Sequence, residues 1–409
     1  MKIIHTSDWH LGQEFYSYDR TEEHCAFFTQ LNAIVKQEQP DALVVSGDIY
    51  HNATPSNAVM RMFVDQLDLI RNSCPTMSIV VIAGNHDSSS RIEVNRTLWG
   101  HLGVHIIGKL EKNTEGIDLE RLIIPIVGGD DTLKGYVVAL PYISPNSYPL
   151  IEPDTPRELR QHAFMTALAA KVEAINTQQV PVVLSAHMAI AGSDITGHNL
   201  TQGGMDYLNL SDLVVDYDYL ALGHIHCPQF IHSSVPTQQC ARYSGSPIPV
   251  NFDERYVHSV TLVEMTDHHS QPVTRTIPIE NPWPLKTIPK DAVPFDEALH
   301  MLEEYPDDQL AYIRLHVKVA DVAPQNALER ATTAVAHKRC RFCCFKWEMP
   351  EQLLQKKRTF ADVDQMKSHS PLEIAQLYYE NKYGQELDPD LKEMLAHVIS
   401  EVEHQRATE

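Results

Sequence analysis

Apolar positions along this chain fall into two rhythms. Short unbroken runs, in Lys2–Asp8 (KIIHTSD), Asp41–Asp48 (DALVVSGD) and Ser78–Ala83, predict strands, the second of the kind buried on both faces. Between them the spacing turns helical. Phe27, Phe28, Leu31, Ile34 and Val35 mark one face of a helix over Asp19–Gln37. Met60, Phe63, Val64, Leu67 and Ile70 mark a second helix, which opens at Thr54-Pro55-Ser56 with the proline suited to its first turn. The order β-α-β-α-β over roughly the first 85 residues predicts parallel strands with helices between them. Further strands are predicted at Tyr136–Leu140, Val180–Ala186, Tyr219–Leu222 and Val257–Val263, with a helix over Glu158–Ala174.

The predicted strands end in chemistry. The first runs into Asp8-Trp9-His10, the second into Gly47-Asp48, and the third into Gly84-Asn85-His86-Asp87. The strand at Val182–Ala186 runs into His187, and the one at Tyr219–Leu222 into Gly223-His224-Ile225-His226. In parallel α/β sheets ligands gather at the carboxyl edge of the strands, so these residues are predicted to form one cluster. A single DxH or HxH is commonly a solvated turn; five in order, each after an apolar strand, are specific. Carboxylate, imidazole and amide oxygen together suit Mn²⁺, Fe²⁺ or Zn²⁺. Asp8, His10, Asp48, Asn85, His187, His224 and His226 would overfill one centre, and they fit two ions sharing a carboxylate. Such ions, about 3.5–4 Å apart, clamp the attacking and leaving oxygens of a phosphoryl displacement.

Composition limits the setting. At 409 residues, 43% hydrophobic and 21% charged, the chain is long enough for two or three globular domains. No apolar run nears the ~20 residues of a membrane span. The N-terminal MKIIHTSDWH enters a strand without a secretory core, and seven scattered cysteines predict a reducing, cytoplasmic compartment. Cys340 and Cys343 form one CxxC beside Cys344, with no second pair to complete a zinc site, and are read as strand residues. A net charge of −21 argues against a general nucleic-acid binder, because phosphate contacts need Lys and Arg. It leaves room for a local basic groove, or for a metal centre that brings the positive charge itself.

In order and at strand ends, DWH, GDIYH, GNHD, His187 and GHIH resemble the signature of the calcineurin-like metallophosphoesterases, over roughly the first 265 residues. The resemblance implies an αββα sandwich. It implies that Asp8, His10, Asp48 and His226 hold one ion, and that Asp48, Asn85, His187 and His224 hold the other, with Asp48 bridging. His86 would face the substrate and assist the leaving oxygen. Asp87 would accept a hydrogen bond from His86 and keep it protonated and oriented; a helix N-cap is its other reading. His51, three residues after Asp48, would lie beside the phosphate or be an exposed loop histidine.

Flanking residues narrow the resemblance. HTSDWHLGQ at His5–Gln13, SGDIYHNATPS at Ser46–Ser56, LPYI at Leu140–Ile143, LGHIH at Leu222–His226 and SGSPIPVNFDE at Ser244–Glu254 are similar to a family of DNA double-strand-break repair nucleases. In that family the last stretch braces the site. The similarity implies a two-metal, Mn²⁺-dependent nuclease subunit acting with an SMC-like ATPase in DNA repair and recombination. It would be an exonuclease on double-stranded ends and an endonuclease on single-stranded or hairpin DNA, and a homodimer within a heterotetramer. A phosphatase or small-substrate phosphodiesterase on the same fold is the alternative, and it would lack the segments that follow.

The remaining chain divides further. Residues 1–280 are expected to form the nuclease domain. The proline-rich Asn281–Pro294 reads as a linker, and 285–350 as a small α+β unit resembling the family's capping domain, which contacts DNA. Within it, helices are predicted at Phe295–Glu304 and Pro324–His337 and strands at Leu310–Val319 and Arg341–Met349. The first strand alternates, Ile313, Leu315, Val317 and Val319 on one face and Tyr312, Arg314, His316 and Lys318 on the other. Lys338, Arg339, Arg341, Lys356, Lys357 and Arg358 are a basic cluster suited to phosphates, or a solvated face. Over 365–409, Ser370-Pro371-Leu372-Glu373 is a capping box opening a helical pair, by resemblance the grip on the ATPase coiled coil.

Overall fold

A computed structural model describes residues 1–114, 116–151, 154–196, 207–231, 240–319 and 324–348, with scattered positions between 372 and 395. They fall into two units: Met1–Lys286 with Leu310–Tyr312, and Thr287–Gln309 with the described residues from Ile313 onward.

The main strands of the first unit begin with β1 (Lys2–Thr6), β2 (Ala42–Ser46), β3 (Ser78–Ile82) and β4 (Val104–Ile107). There follow β5 (Ile123–Val127), β6 (Leu133–Leu140), β7 (Val182–His187) and β8 (Tyr219–Gly223). The last are β9 (Gln229–Ile231), β10 (Cys240–Tyr243), β11 (Ser259–Glu264) and β12 (Val273–Pro278). Its long helices are α1 (Thr21–Glu38), α2 (Asn57–Ser73) and α3 (Arg160–Ile175). One sheet has the order β12-β11-β1-β2-β3-β4 and the other β9-β10-β8-β7-β6-β5. β1 to β4 run parallel in the first, as do β6, β7, β8 and β10 in the second; antiparallel strands close the edges.

The unbroken apolar runs arise because both faces of the central strands are covered. On β2, Ala42 and Val44 join the core shared with Leu184 and Leu220 of the second sheet. Leu43 and Val45 point the other way, into a core with Phe28 and Leu31 of α1 and Phe63 and Leu67 of α2. β3 divides likewise, Val80 and Ile82 against Ile79 and Val81. Phe164, Leu168 and Val172 of α3 join the first core. The layers are therefore helix, sheet, sheet, helix, the αββα sandwich that the motifs imply. α2 starts at Asn57, two residues after its proline: Ser56 is the N-cap, its side chain accepting from Val59 N at 3.3 Å, so Pro55 precedes the helix.

The second unit takes β13 (Leu285–Pro294) from Thr287 on, α4 (Phe295–Glu303), β14 (Tyr312–Lys318) from Ile313 on, α5 (Ala327–Val335) and β15 (Arg341–Glu348), with β14 central in the sheet. The expected linker is corrected here, since Leu285–Pro294 is a strand. Prolines are tolerated because β13 lies at an edge, where not every N–H is needed for the ladder. β14 is also buried on both faces. Arg314 donates to Thr287 Oγ1 at 3.1 Å and His316 Nδ1 to the Lys290 carbonyl at 3.0 Å, which lets both polar side chains be covered. Lys338 of the basic cluster is engaged within this unit, with the Tyr305 carbonyl and the Asp307 carboxylate. Cys340 is buried and Cys343 and Cys344 are half-buried in and beside β15, none of them in a disulfide. Lys356, Lys357, Arg358 and the Ser370-Pro371 half of the expected capping box lie outside the described residues, whereas Leu372 and Glu373 are helical. Among the described residues no helix is long and apolar enough to cross a membrane.

Candidate two-metal centre

The loops after β1 and β2 are held together by backbone bonds. Asp8 N donates to Gly47 O, and His10 N to Asp48 O, each at 3.0 Å. Trp9 is fully buried between them, edge-on to Phe27, Phe28 and Phe63, and anchors the loop in the helix-side core. Asp8, His10, Asp48 and His224 have φ of 54°, 45°, 50° and 98°, the left-handed region that non-glycine residues seldom occupy. Such strain, repeated across three loops, marks a functional site. Gly84 is required by contact: a Cβ there would collide with Asp48 Oδ1 and the Asp48 amide nitrogen.

The side chains converge in two neighbouring groups. Asp8, His10 and His226 form one, and Asp48, His187 and His224 the other, with ligand-capable atoms within 4.8 Å of one another in each. His10 Nε2 and His226 Nε2 lie 3.1 Å apart. Asn85 Oδ1 lies 3.0 Å from His187 Nε2 and 2.9 Å from His224 Nδ1. Asp48 Oδ2 stands between the groups, 3.4 Å from His187 Nε2 and 3.8 Å from His10 Nε2. His187 Nδ1 donates to the Ser46 carbonyl at 2.8 Å, which leaves Nε2 to face Asp48. Behind this edge Ser46 Oγ meets Ser185 Oγ at 2.9 Å and ties the two sheets together.

Electrostatics fit cations. Burial raises the Asp8 carboxyl above its ordinary range, and it lowers His10 far below 6.5. Burial also opposes ionisation of Asp48, but His187, His10 and His86 prevail and hold it well below the carboxylate range. Against the same burial, Asp48 raises His187 to about 9. Buried carboxylates and imidazoles at these distances need positive charge between them, as protons or as metal. The donors are carboxylate oxygen, amide oxygen and imidazole nitrogen with no thiolate, the set for borderline divalent ions, so the residues fit two metals.

Residues 1–228 match the calcineurin-like phosphoesterase family model. The D component of the SbcCD nuclease of Bacillus subtilis is 32% identical over 342 residues, covering 82% of this chain and 83% of that protein. The chain belongs to the SbcD family of calcineurin-like phosphoesterases. SbcD relatives from Rhodobacter capsulatus (31% over 316 residues, 74% of this chain and 75% of the relative) and Escherichia coli K12 (28% over 300 residues, 68% and 70%) are also similar. The chain is a metal-dependent phosphodiester hydrolase of that family, with the sandwich that places the SbcD motifs on one edge.

The remaining predicted residues surround the two groups. His51 and His86 join His10 in a third cluster within 4.8 Å, His86 edge-on to His10 with ring centroids 4.9 Å apart. The rings of His51 and His86 stack at 5.7 Å, so His51 is a half-buried neighbour of the centre rather than an exposed loop residue. Asp87 differs from both expectations. Its carboxylate accepts the backbone N–H of Gly84 at 2.8 Å, Tyr50 at 2.8 Å and Ile49 at 3.1 Å. His86 is oriented instead by donation from Nδ1 to the His51 carbonyl at 2.7 Å. The N-cap of the next helix is Ser88. Burial, then the Asp48 charge, push Asp87 up to about 7 against its three N–H donors. The sequence singles out the stretch ending in Glu254 but not that residue's partners: the Glu254 side chain is fully buried, 3.6 Å from His226 and 3.5 Å from His258.

Proposed function

We propose that the chain is the Mn²⁺-dependent nuclease subunit of a cytoplasmic DNA repair and recombination complex. It acts as an exonuclease on double-stranded ends and an endonuclease on single-stranded or hairpin DNA. The observation that carries this reading is Asp48 Oδ2 between His187 and His10, a carboxylate shared by two donor sets in an SbcD-family chain. Asp8, His10, Asp48 and His226 would hold one ion, and Asp48, Asn85, His187 and His224 the other. Once bound, two divalent ions lower the pKa of water and neutralise charge on the phosphodiester.

The side chains around the ions orient the substrate and move a proton. Nδ1 of His86 is committed as a donor to the His51 carbonyl, so Nε2 is the atom that delivers a proton to the leaving sugar oxygen. His51 lines the same side and positions the scissile phosphate. Asp87 holds the Gly84 and Ile49–Tyr50 backbones together and thereby fixes the loops carrying Asp48 and His86.

Residues 285–350 form the capping unit for DNA, and 365–409 the helical pair that grips the coiled coil of an SbcC-type, SMC-like ATPase. The active assembly is a homodimer of this chain within a heterotetramer. The partner and the metals supply the positive field that a chain of net charge −21 lacks.

The test is cleavage of end-labelled duplex DNA by the full chain with Mn²⁺, Mg²⁺ or EDTA, alone and with the ATPase and ATP. Bis-nitrophenyl phosphate and a His86→Ala variant run alongside. Mn²⁺-dependent degradation lost in the variant supports the nuclease; rapid turnover of the small diester with intact DNA in every arm transfers the assignment to a small-substrate phosphodiesterase.

A further inference from the structure

Two aspartates and two histidines meet at the other end of the sandwich. Asp216 and Asp218 lie just before β8, and His268 and His269 lie in the turn between β11 and β12. The metal centre lies beyond the carboxyl end of β8, which at about 3.3 Å per residue puts roughly 20 Å between Asp218 and His224.

The chemistry of this corner is organised. Neighbouring side chains of an extended segment point to opposite sides. Here His269 has φ of 64°, and the rings of His268 and His269 stack on one side, centroids 3.8 Å apart with 27° between planes. His268 Nδ1 donates to Asp218 Oδ2 at 2.9 Å. Asp218 is only 2% exposed and is fixed in turn by Val182 N at 2.7 Å and His269 N at 2.5 Å. With Nδ1 committed, Nε2 of His268 is left for Asp216, whose Oδ2 lies 3.5 Å from it. His269 Nε2 lies 2.8 Å from the same oxygen. A simple ion pair needs one imidazole. Here two converge on one carboxylate oxygen, and a buried aspartate orients one of them from behind, as carboxylates orient metal-ligating histidines.

We propose that Asp216, His268 and His269 bind a further divalent ion of the Zn²⁺ class, which clips the segment before β8 to the β11–β12 turn. Two imidazole nitrogens and one carboxylate oxygen, with no thiolate, match that class and leave coordination positions for water. Asp216 and His268 also border a surface cavity of about 650 Å³, which gives the ion a route from solvent.

The experiment is a Zn²⁺ titration of the chelator-stripped full chain by calorimetry, with bound zinc counted by elemental analysis after gel filtration. Wild type is compared with His269→Gln and Asp216→Asn, two exposed positions whose replacement leaves the fold in place. Each variant is expected to bind one Zn²⁺ fewer than wild type, with metal-activated hydrolysis of bis-nitrophenyl phosphate unchanged. Equal zinc stoichiometry in all three proteins would overturn the site and leave a histidine–aspartate ion pair.

Discussion

Glu254 Oε1 lies 3.6 Å from Nδ1 of His226, and the Glu254 side chain is fully buried. Its other oxygen accepts Val250 N at 3.0 Å and lies 3.5 Å from His258 Nε2. A carboxylate behind a ligating imidazole fixes the ring and raises its basicity, and losing such a partner typically costs about 10–100-fold in metal affinity. Burial alone would lower His226, yet Glu254, Asp8 and Asp48 raise it above 6.5. Glu254→Gln keeps size and an acceptor but loses the charge. Its expected phenotype is a metal-activation curve displaced about 10–100-fold to higher concentration, with near wild-type turnover at saturation. A curve superimposable on wild type would remove Glu254 from the site.

Asp87 is predicted to act on structure rather than on the protonation of His86. Asparagine there places an N–H₂ against backbone N–H groups that now meet a carboxylate. Leaving a buried N–H donor unpaired should cost about 1–3 kcal/mol in urea unfolding. The pH–rate profile of Asp87→Asn should keep the wild-type limbs, because His86 is held by the His51 carbonyl. A shifted limb with unchanged stability would restore the aspartate–histidine pair expected from sequence.

These two carboxylates mark where the sequence stopped being legible. Which residues cluster was readable, because short apolar runs rich in Val and Ile read as core strands, and each ends in Asp, Asn or His. Which way a side chain turns was not. Asp87 neighbours His86 in sequence but bonds to Ile49 and Tyr50, which no local pattern encodes. β12 was missed because Val273–Pro278 is an edge strand, largely exposed and without an apolar rhythm. Leu285–Pro294 reads as a linker by its prolines, yet it pairs along β14 as an edge strand.

Gly84→Ala is predicted to abolish turnover while the chain still folds. A Cβ at this position would strike Asp48 Oδ1 and the Asp48 amide nitrogen, so the carboxylate between the two donor sets must shift. A displacement of about 1 Å in a catalytic constellation can cost 10²-fold or more. Diester hydrolysis at saturating Mn²⁺ should fall by at least about that factor, with the circular dichroism spectrum unchanged. Activity within a few-fold of wild type would show that the loop accommodates a methyl group.

The last prediction concerns pH. Burial, then the positive charge of Arg20, lowers His24 to about 3, and burial, then Arg242, lowers His5 to about 3. Both have an ordinary value of 6.5, so between pH 6.5 and 3 the unfolded chain binds protons that the folded chain refuses. Stability is therefore full above 6.5 and falls as the pH drops through that window. Each histidine should remove about 1.4 kcal/mol between pH 7.5 and 5.5. His24 Nε2 donates to the Trp9 carbonyl at 3.2 Å, a bond that glutamine can replace with its amide. Urea unfolding of wild type and His24→Gln in EDTA isolates its share, since the other histidines are common to both. The variant should lose about 1.4 kcal/mol less than wild type between the two pH values. Parallel losses would mean that His24 titrates normally in the folded protein, and that burial behind the Trp9 loop does not hold it neutral.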